Sequence, residues 1–299
     1  MCTAASYKTD NFYFGRTLDY EMSYGEEIVI MPRNFPLKFR HIGKLSEHYA
    51  IIGTAHVAGG CPLFYDGANE KGLAMAGLNF VGNAYYFDNA AEKDNIPQFE
   101  FIPWILSKCA DLNEAKALLG RINITNEPFS PQLPTAQLHW IIGDKNETIT
   151  VESVADGLKI YDNPAGVLTN NPPFPFHQMN LSQYQHLSPA QSCNRFAKTE
   201  LPSPFAQGMG AIGLPGDYSS ASRYVKAAFL KLNSVCEQEE EQQVVQFFHI
   251  LDAVAMVKGS VITEDKQLDL TLYSCCISAG TKTYYYRTSE NSTVHAIRM

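Results

Sequence analysis

The chain has 299 residues, 45% of them hydrophobic and 18% charged, a balance too apolar for disorder and enough for a full-sized core. Its 23 Lys and Arg against 31 Asp and Glu give a formal charge of -8 with no basic stripe, which argues against nucleic acid as a partner. There is no apolar run of about 18 residues to cross a bilayer and no basic-then-apolar leader, and the seven scattered cysteines form no C-x-x-C pair. The expectation is a cytoplasmic protein without disulfide framework, structural zinc or membrane anchor.

Short apolar or alternating runs bounded by Gly, Pro, Asn and Asp predict strands over 2–8, 11–16, 26–31, 48–55, 63–66 and 72–79. Helical spacing follows over 98–109 and 112–119, the second opened by Asp111 and Glu114 at capping-box spacing and closed by Gly120. Strands resume over 137–142, 147–154, 157–161 and 165–169, with Asp156-Gly157 suited to the positive φ of a tight hairpin. A helix is predicted from Ser220 to Leu232, with Val225, Ala228, Phe229 and Leu232 on its inner face. Another covers 237–251, where an acidic start suits the helix dipole and Val244, Phe247, Phe248 and Leu251 turn inward. The tail returns to strand over 268–276 and 282–287. Sheets at both ends, helices between them and no repeat predict one α+β domain over 1–299 in which distant strands pair. Two stretches poor in regular signals, 127–135 and 172–218, are the expected substrate loops.

The second residue carries the most chemistry. Removal of Met1, favoured when the next side chain is small, would leave Cys2 with a thiol and a free α-amine on one residue. An α-amine titrates near about 7.7 to 8 and can take a proton from the thiol or from water, so no histidine is needed. The alternative is an ordinary residue opening a strand. In FGRTLDY, Arg16 and Asp19 lie on a segment able to pair with that strand, where the cation would favour the thiolate and the carboxylate would orient the amine. Otherwise they are a surface ion pair of little worth. Arg223 falls in the first turn of a predicted helix, where a cation opposes the dipole. It either serves a site or pairs with Asp217.

Two patterns are set aside. Gly208, Gly210 and Gly213 spell G-x-G-x-x-G, but no strand precedes them in a βαβ unit, so a dinucleotide site is not implied. The eight His residues show no ligand spacing, and His139 beside Trp140 reads as a strand residue and not a general base.

MCT, FGRTLDYE, NEKGLAMAGLNF, GVLTNNP and GLPGDYSSASRYVKAAF, in this order and at these intervals, resemble the choloylglycine hydrolase family of bile salt hydrolases and penicillin V acylases. The resemblance covers nearly the whole chain. It implies an N-terminal-nucleophile hydrolase built as a four-layer αββα sandwich with two antiparallel sheets. It also implies Cys2 as nucleophile with its freed α-amine as general base, and Arg16 and Asp19 as the charged neighbours that tune and hold it. Asn170 would donate a side-chain N–H, and Asn79 its backbone N–H, to the oxyanion, donors worth roughly 3 to 4 kcal/mol each. Arg223 would complete the electrostatic cage. Taken singly, each Asn is more simply a loop residue bonded to its own backbone.

Asn at position 79 resembles the bile salt hydrolases, whereas penicillin V acylases tend to carry Tyr there. The implied substrate is a steroid acid joined by an amide to glycine or taurine. Phe129, Leu133 and Leu138, in or beside a proline-broken loop, and Leu18 and Tyr65, beside family motifs, would form its apolar wall. The alternative for each is core packing. No cofactor or metal is implied. A homotetramer is implied, and because the chain stops at Met299, earlier than the resemblance suggests, a last strand or subunit contact is expected to be missing. Two other readings stand beside this one: a penicillin V or acyl-homoserine-lactone acylase on the same scaffold, and a catalytically silent sterol or lipid binder.

Overall fold

The computed structural model describes residues 1–299. CTAASYK and FYFGRTLDY form Cys2–Lys8 (β1) and Phe12–Tyr20 (β2), an antiparallel pair that sets Cys2 opposite Leu18 and Ala4 opposite Arg16. Both strands are buried on both faces almost throughout, so they read as near-continuous runs and not as an apolar and polar alternation. The chain continues through Glu26–Met31 (β3), Leu37–Phe39 (β4), Gly43–Leu45 (β5), Ile51–Ala58 (β6), Cys61–Phe64 (β7), Asp66–Asn69 (β8), Ala74–Asn79 (β9) and Asp94–Pro97 (β10). Then come Phe101–Lys108 (α1), Leu112–Leu119 (α2), Ile122–Thr125 (β11), Leu138–Gly143 (β12), Thr148–Val154 (β13), Gly157–Asp162 (β14), Val167–Leu168 (β15) and Phe174–Leu181 (α3). Ser220–Asn233 (α4), Glu240–Asp252 (α5), Val261–Ile262 (β16), Leu268–Ser278 (β17), Thr283–Thr288 (β18) and His295–Arg298 (β19) complete it.

The first sheet has the order β15-β1-β2-β17-β18-β19, with β16 on β17; the second has β14-β13-β12-β9-β8-β6-β3, with β7 on β6. Every pairing in both is antiparallel. β1 and β2 lie against β9 across the sandwich, α4 and α5 cover the first sheet and α1 covers the second. The result is the four-layer αββα arrangement. At Gly15 a side chain would stand 1.9 Å from the Cys275 carbonyl, so only glycine lets β2 and β17 approach. Between the sheets, the buried Asp66 carboxylate of β8 accepts from Tyr273 Oη at 2.5 Å and Tyr284 Oη at 2.7 Å, both from the opposite sheet. No helix is long and apolar enough to cross a membrane.

Several expectations need correction. Strand 11–16 extends to Tyr20, because Arg16 and Asp19 are buried with partners and do not terminate it. Residues 98–100 form a 3₁₀ turn ahead of α1. The buried face of α4 centres on Tyr224, Ala227 and Ala228, and Leu232 is exposed. The stretch 172–218 contains α3, which shows no amphipathic spacing in FPFHQMNL. The glycine-rich segment holds only a short 3₁₀ turn, Met209–Ala211.

Candidate active site

The hairpin of β1 and β2 brings Cys2, Arg16 and Asp19 together. Cys2 is 3% exposed, and Arg16 and Asp19 are fully buried. Arg16 donates from Nη1 to Gly77 O at 2.6 Å and Tyr65 O at 3.1 Å, and from Nε to Thr17 O at 3.2 Å, while its buried Nη2 has no protein partner. Burial alone would lower its pKa, but the charges of Cys2, Tyr273 and Asp66 outweigh burial and raise it, so the guanidinium stays a fixed cation beside the thiol. Asp19 accepts from Thr17 Oγ1 at 3.0 Å and from Thr271 Oγ1 at 2.5 Å. The second contact depends on a register shift in β17 between Thr271 and Tyr273, a bulge that re-aims the Thr271 side chain. Burial pushes the Asp19 carboxyl up, and Arg223 and Thr271 oppose this. The Met1 ammonium donates to Asp19 O at 2.5 Å and to Asp269 Oδ2 at 3.3 Å.

Asn170 links four elements. Its Oδ1 accepts from Cys2 N at 2.9 Å and from Arg223 Nη2 at 2.7 Å, and its Nδ2 donates to Asn79 O at 2.9 Å, leaving a second N–H. The segment is held by His139, which bonds Thr169 O at 2.9 Å and Glu152 Oε1 at 3.0 Å, and by His177 Nε2 against Asn170 O at 2.9 Å. His139 therefore serves as a strand residue that supports the Asn170 segment. On β9, the Gly77 N–H is taken by Tyr65 O and the Phe80 N–H by Gln137 O, so alternation turns the Asn79 N–H to the Tyr65 side. Arg223 reaches in from the first turn of α4: Nη1 donates to Cys2 O at 2.5 Å and Thr3 Oγ1 at 2.7 Å, and Nε to Tyr218 O at 2.9 Å. Burial lowers its pKa while the Asp19, Cys2 and Asp269 charges oppose that shift. Asp217 is not its partner; it accepts from Ser219 N at 2.9 Å and Ser222 Oγ at 2.6 Å, while Ser219 caps α4.

Cys2, Arg16, Asp19 and Asn79 open onto a cavity of about 390 Å³. Fifteen of its 26 lining residues are hydrophobic, a wall suited to a large apolar group. Leu18, Tyr65, Phe129, Leu133 and Leu138 all line it, and Leu133 is held by its N–H to Ser130 Oγ at 3.2 Å. Asn170, bonded to the lining residues Cys2 and Asn79, and Arg223 are not themselves among the residues that line it, and neither is any residue of 172–218, so that stretch is not a wall of this cavity.

A profile of linear amide C–N hydrolases, the choloylglycine hydrolase family, matches residues 2–299. The chain belongs to the choloylglycine hydrolase family. It is 49% identical to a bile salt hydrolase/transferase of Lactiplantibacillus plantarum over all of this chain and 92% of that protein. Among solved structures, a mutant conjugated bile acid hydrolase from Clostridium perfringens superimposes with a TM-score of 0.92 at 37% identity, over all of this chain and 92% of that one. A penicillin V acylase from Agrobacterium tumefaciens shares the fold, with a TM-score of 0.79 at 19% identity, over all of this chain and 86% of that one.

In this family member, further residues that the sequence does not single out surround Cys2 and its cavity. Thr271 and Asp269 face the chain end from β17, and Tyr20, Tyr24, His56 and Phe99 line the cavity. Asp269 and Thr271 alternate along LDLTLY as any strand residues would, so their spacing gives no signal. Tyr20 closes FGRTLDY as the last residue of β2.

Proposed function

We propose that this enzyme hydrolyses the amide bond of glycine- or taurine-conjugated bile acids through Cys2 as an N-terminal nucleophile. The observation that carries this reading is the position of Cys2, where its backbone is held by Asn170 and Arg223 and where Arg16, Asp19 and Asn79 stand beside it at a cavity lined mainly by apolar side chains. That layout suits a substrate with a sterol body and a charged tail joined at an amide. Removal of Met1 frees an amine at the Cys2 nitrogen, which Asn170 Oδ1 already holds. The amine takes the thiol proton and the thiolate, beside Arg16, attacks the amide carbon. The oxyanion is received by the Asn79 backbone N–H and the spare Asn170 Nδ2 N–H, preorganised donors that need no rearrangement as charge develops. The amine then returns the proton to the leaving nitrogen, and glycine or taurine departs. Water, deprotonated by the same amine, releases the bile acid from the thioester. Asp19 orients the amine, and Arg223 holds Cys2 O and Asn170 in register.

The kinship with the Lactiplantibacillus plantarum and Clostridium perfringens proteins supports the bile acid substrate. All seven cysteines are free, which supports a reducing, cytoplasmic setting, and a homotetramer is the assembly the family resemblance implies. The test is release of glycine or taurine from glycocholate and taurocholate, with intact mass reporting Met1. Release by the trimmed chain, abolished in Cys2→Ser, is expected. Turnover of penicillin V alone would replace the substrate, and cholate binding without hydrolysis would make the protein a binder.

A further inference from the structure

Phe99 and Phe129 line the cavity from separate segments and meet edge to face, with ring centroids 5.3 Å apart. Behind them lies Arg40, which follows β4 and does not line the cavity. Its guanidinium sits 4.7 Å from the Phe99 ring centroid and 6.0 Å from that of Phe129. Nη1 donates to Pro128 O at 2.7 Å and Nη2 to Phe129 O at 2.6 Å, so one planar fork holds two successive carbonyls. The Arg40 backbone N–H donates to both oxygens of Glu100, at 3.0 and 3.3 Å, which fixes Arg40 to the turn that carries Phe99. Glu127 adds a second tie: its Oε1 shares a hydrogen bond with His41 Nε2 at 2.6 Å, and its Oε2 is 3.8 Å from Arg40 Nη1.

The loop that carries Phe129 and Leu133 has little internal support. Three prolines, Pro128, Pro131 and Pro134, cannot donate from the backbone, and its own backbone bonds are limited to the Ser130 and Leu133 pair. Its shape therefore depends on what grips it from outside.

We propose that Arg40 is a positioning residue that clamps the Phe129 loop against Phe99 and so sets the cavity wall that a large, rigid acyl group must meet. In this form the inference rests on the proposed bile acid substrate. Loss of the clamp should weaken substrate binding and leave the Cys2 chemistry alone, since Arg40 touches none of the groups around the thiol.

The test compares Arg40→Ala and Arg40→Lys with the wild type in glycocholate kinetics and in hydrogen exchange of residues 127–135 without substrate. The expected result is a KM raised roughly tenfold with kcat within about twofold, a difference in binding confined to the ground state and transition state alike. Exchange over 127–135 should be faster in both variants, because lysine keeps the charge but not the fork. Three results would each overturn the clamp: unchanged exchange, a fall in kcat at constant KM, or full restoration by lysine. A wild type that releases no glycine removes the bile acid reading alone, and the clamp then stands or falls on the exchange measurement. Arg40 is partly exposed on a short hairpin; should the alanine variant fail to fold, the lysine variant carries both measurements.

Discussion

Arg16 and Arg223 are both buried cations beside Cys2, yet they do different work. Arg16 directs Nη1 to carbonyls across the sandwich, Nε to the Thr17 carbonyl of its own strand, and keeps Nη2 unpaired, whereas Arg223 uses Nε, Nη1 and Nη2 on the backbone and side chains around the nucleophile. The first is a source of field and the second a brace. In the proposed mechanism Asn170 joins Arg223 to the oxyanion, so Asn170→Ala should lower kcat on glycocholate by about 10² to 10³ with a much smaller change in KM. Steady-state kinetics of a variant that melts normally checks this. Near the cavity, burial pushes the Glu100 carboxyl up to about 7, against the pull of the Arg40 N–H. The folded protein holds that proton more tightly than the unfolded chain does, so the linked stability is complete below the ordinary value of 4.5 and is lost as pH rises through about 7. Thermal melts of Glu100→Gln should therefore lose less Tm across that window than the wild type. The oddity of Arg223 was legible in the sequence, since a cation in a first helical turn is misplaced unless something needs it. Asp269 was not, because only the folded ladder shows which strand faces the chain end.

At the scale of elements, legibility followed how local the determining contacts are. α2 was placed to the residue because its start is written in adjacent side chains: Asp111 Oδ1 accepts from Glu114 N at 3.0 Å, and Glu114 Oε2 accepts from Ala110 N at 2.7 Å. Asp111→Ala should cost about 1 kcal/mol and lower Tm in a thermal melt without altering hydrolysis. The hairpin at Gly157, with φ of 105°, was legible for the same reason. β2 runs past the predicted end at Arg16 to Tyr20, and it is the partners of Arg16 and Asp19, from β9 and β17 respectively, that allow both charges to be buried there. α3 lacked any amphipathic stripe, so nothing in its own residues announced it.

For the molecule as a whole, periodicity predicts strands and helices and the family resemblance implies the layers, but the order of strands within each sheet is visible only in the fold. Neither said what joins the two sheets. Apolar side chains of both sheets, such as Phe14, Ile52, Leu78 and Ile277, share one core, and a polar tie runs through the interior as well: Asp66 accepts from Tyr273 and Tyr284, and Tyr284 Oη meets Thr54 Oγ1 at 2.5 Å. Tyr284→Phe leaves both Asp66 and Thr54 short of a partner and should destabilise the fold by about 1 to 3 kcal/mol in chemical denaturation. The two sheets also differ in where their strands come from. The second is drawn from one stretch, β3 to β14, whereas the first pairs β2 with β17, joining residues more than two hundred positions apart. During synthesis the second sheet can close while the rest of the chain is still being made, since domains acquire structure as their contacts become available. The nucleophile's own sheet must wait for β17. A growing chain on the ribosome thus exposes the cysteine without its frame, and amide hydrolysis begins only once translation has delivered the last strands.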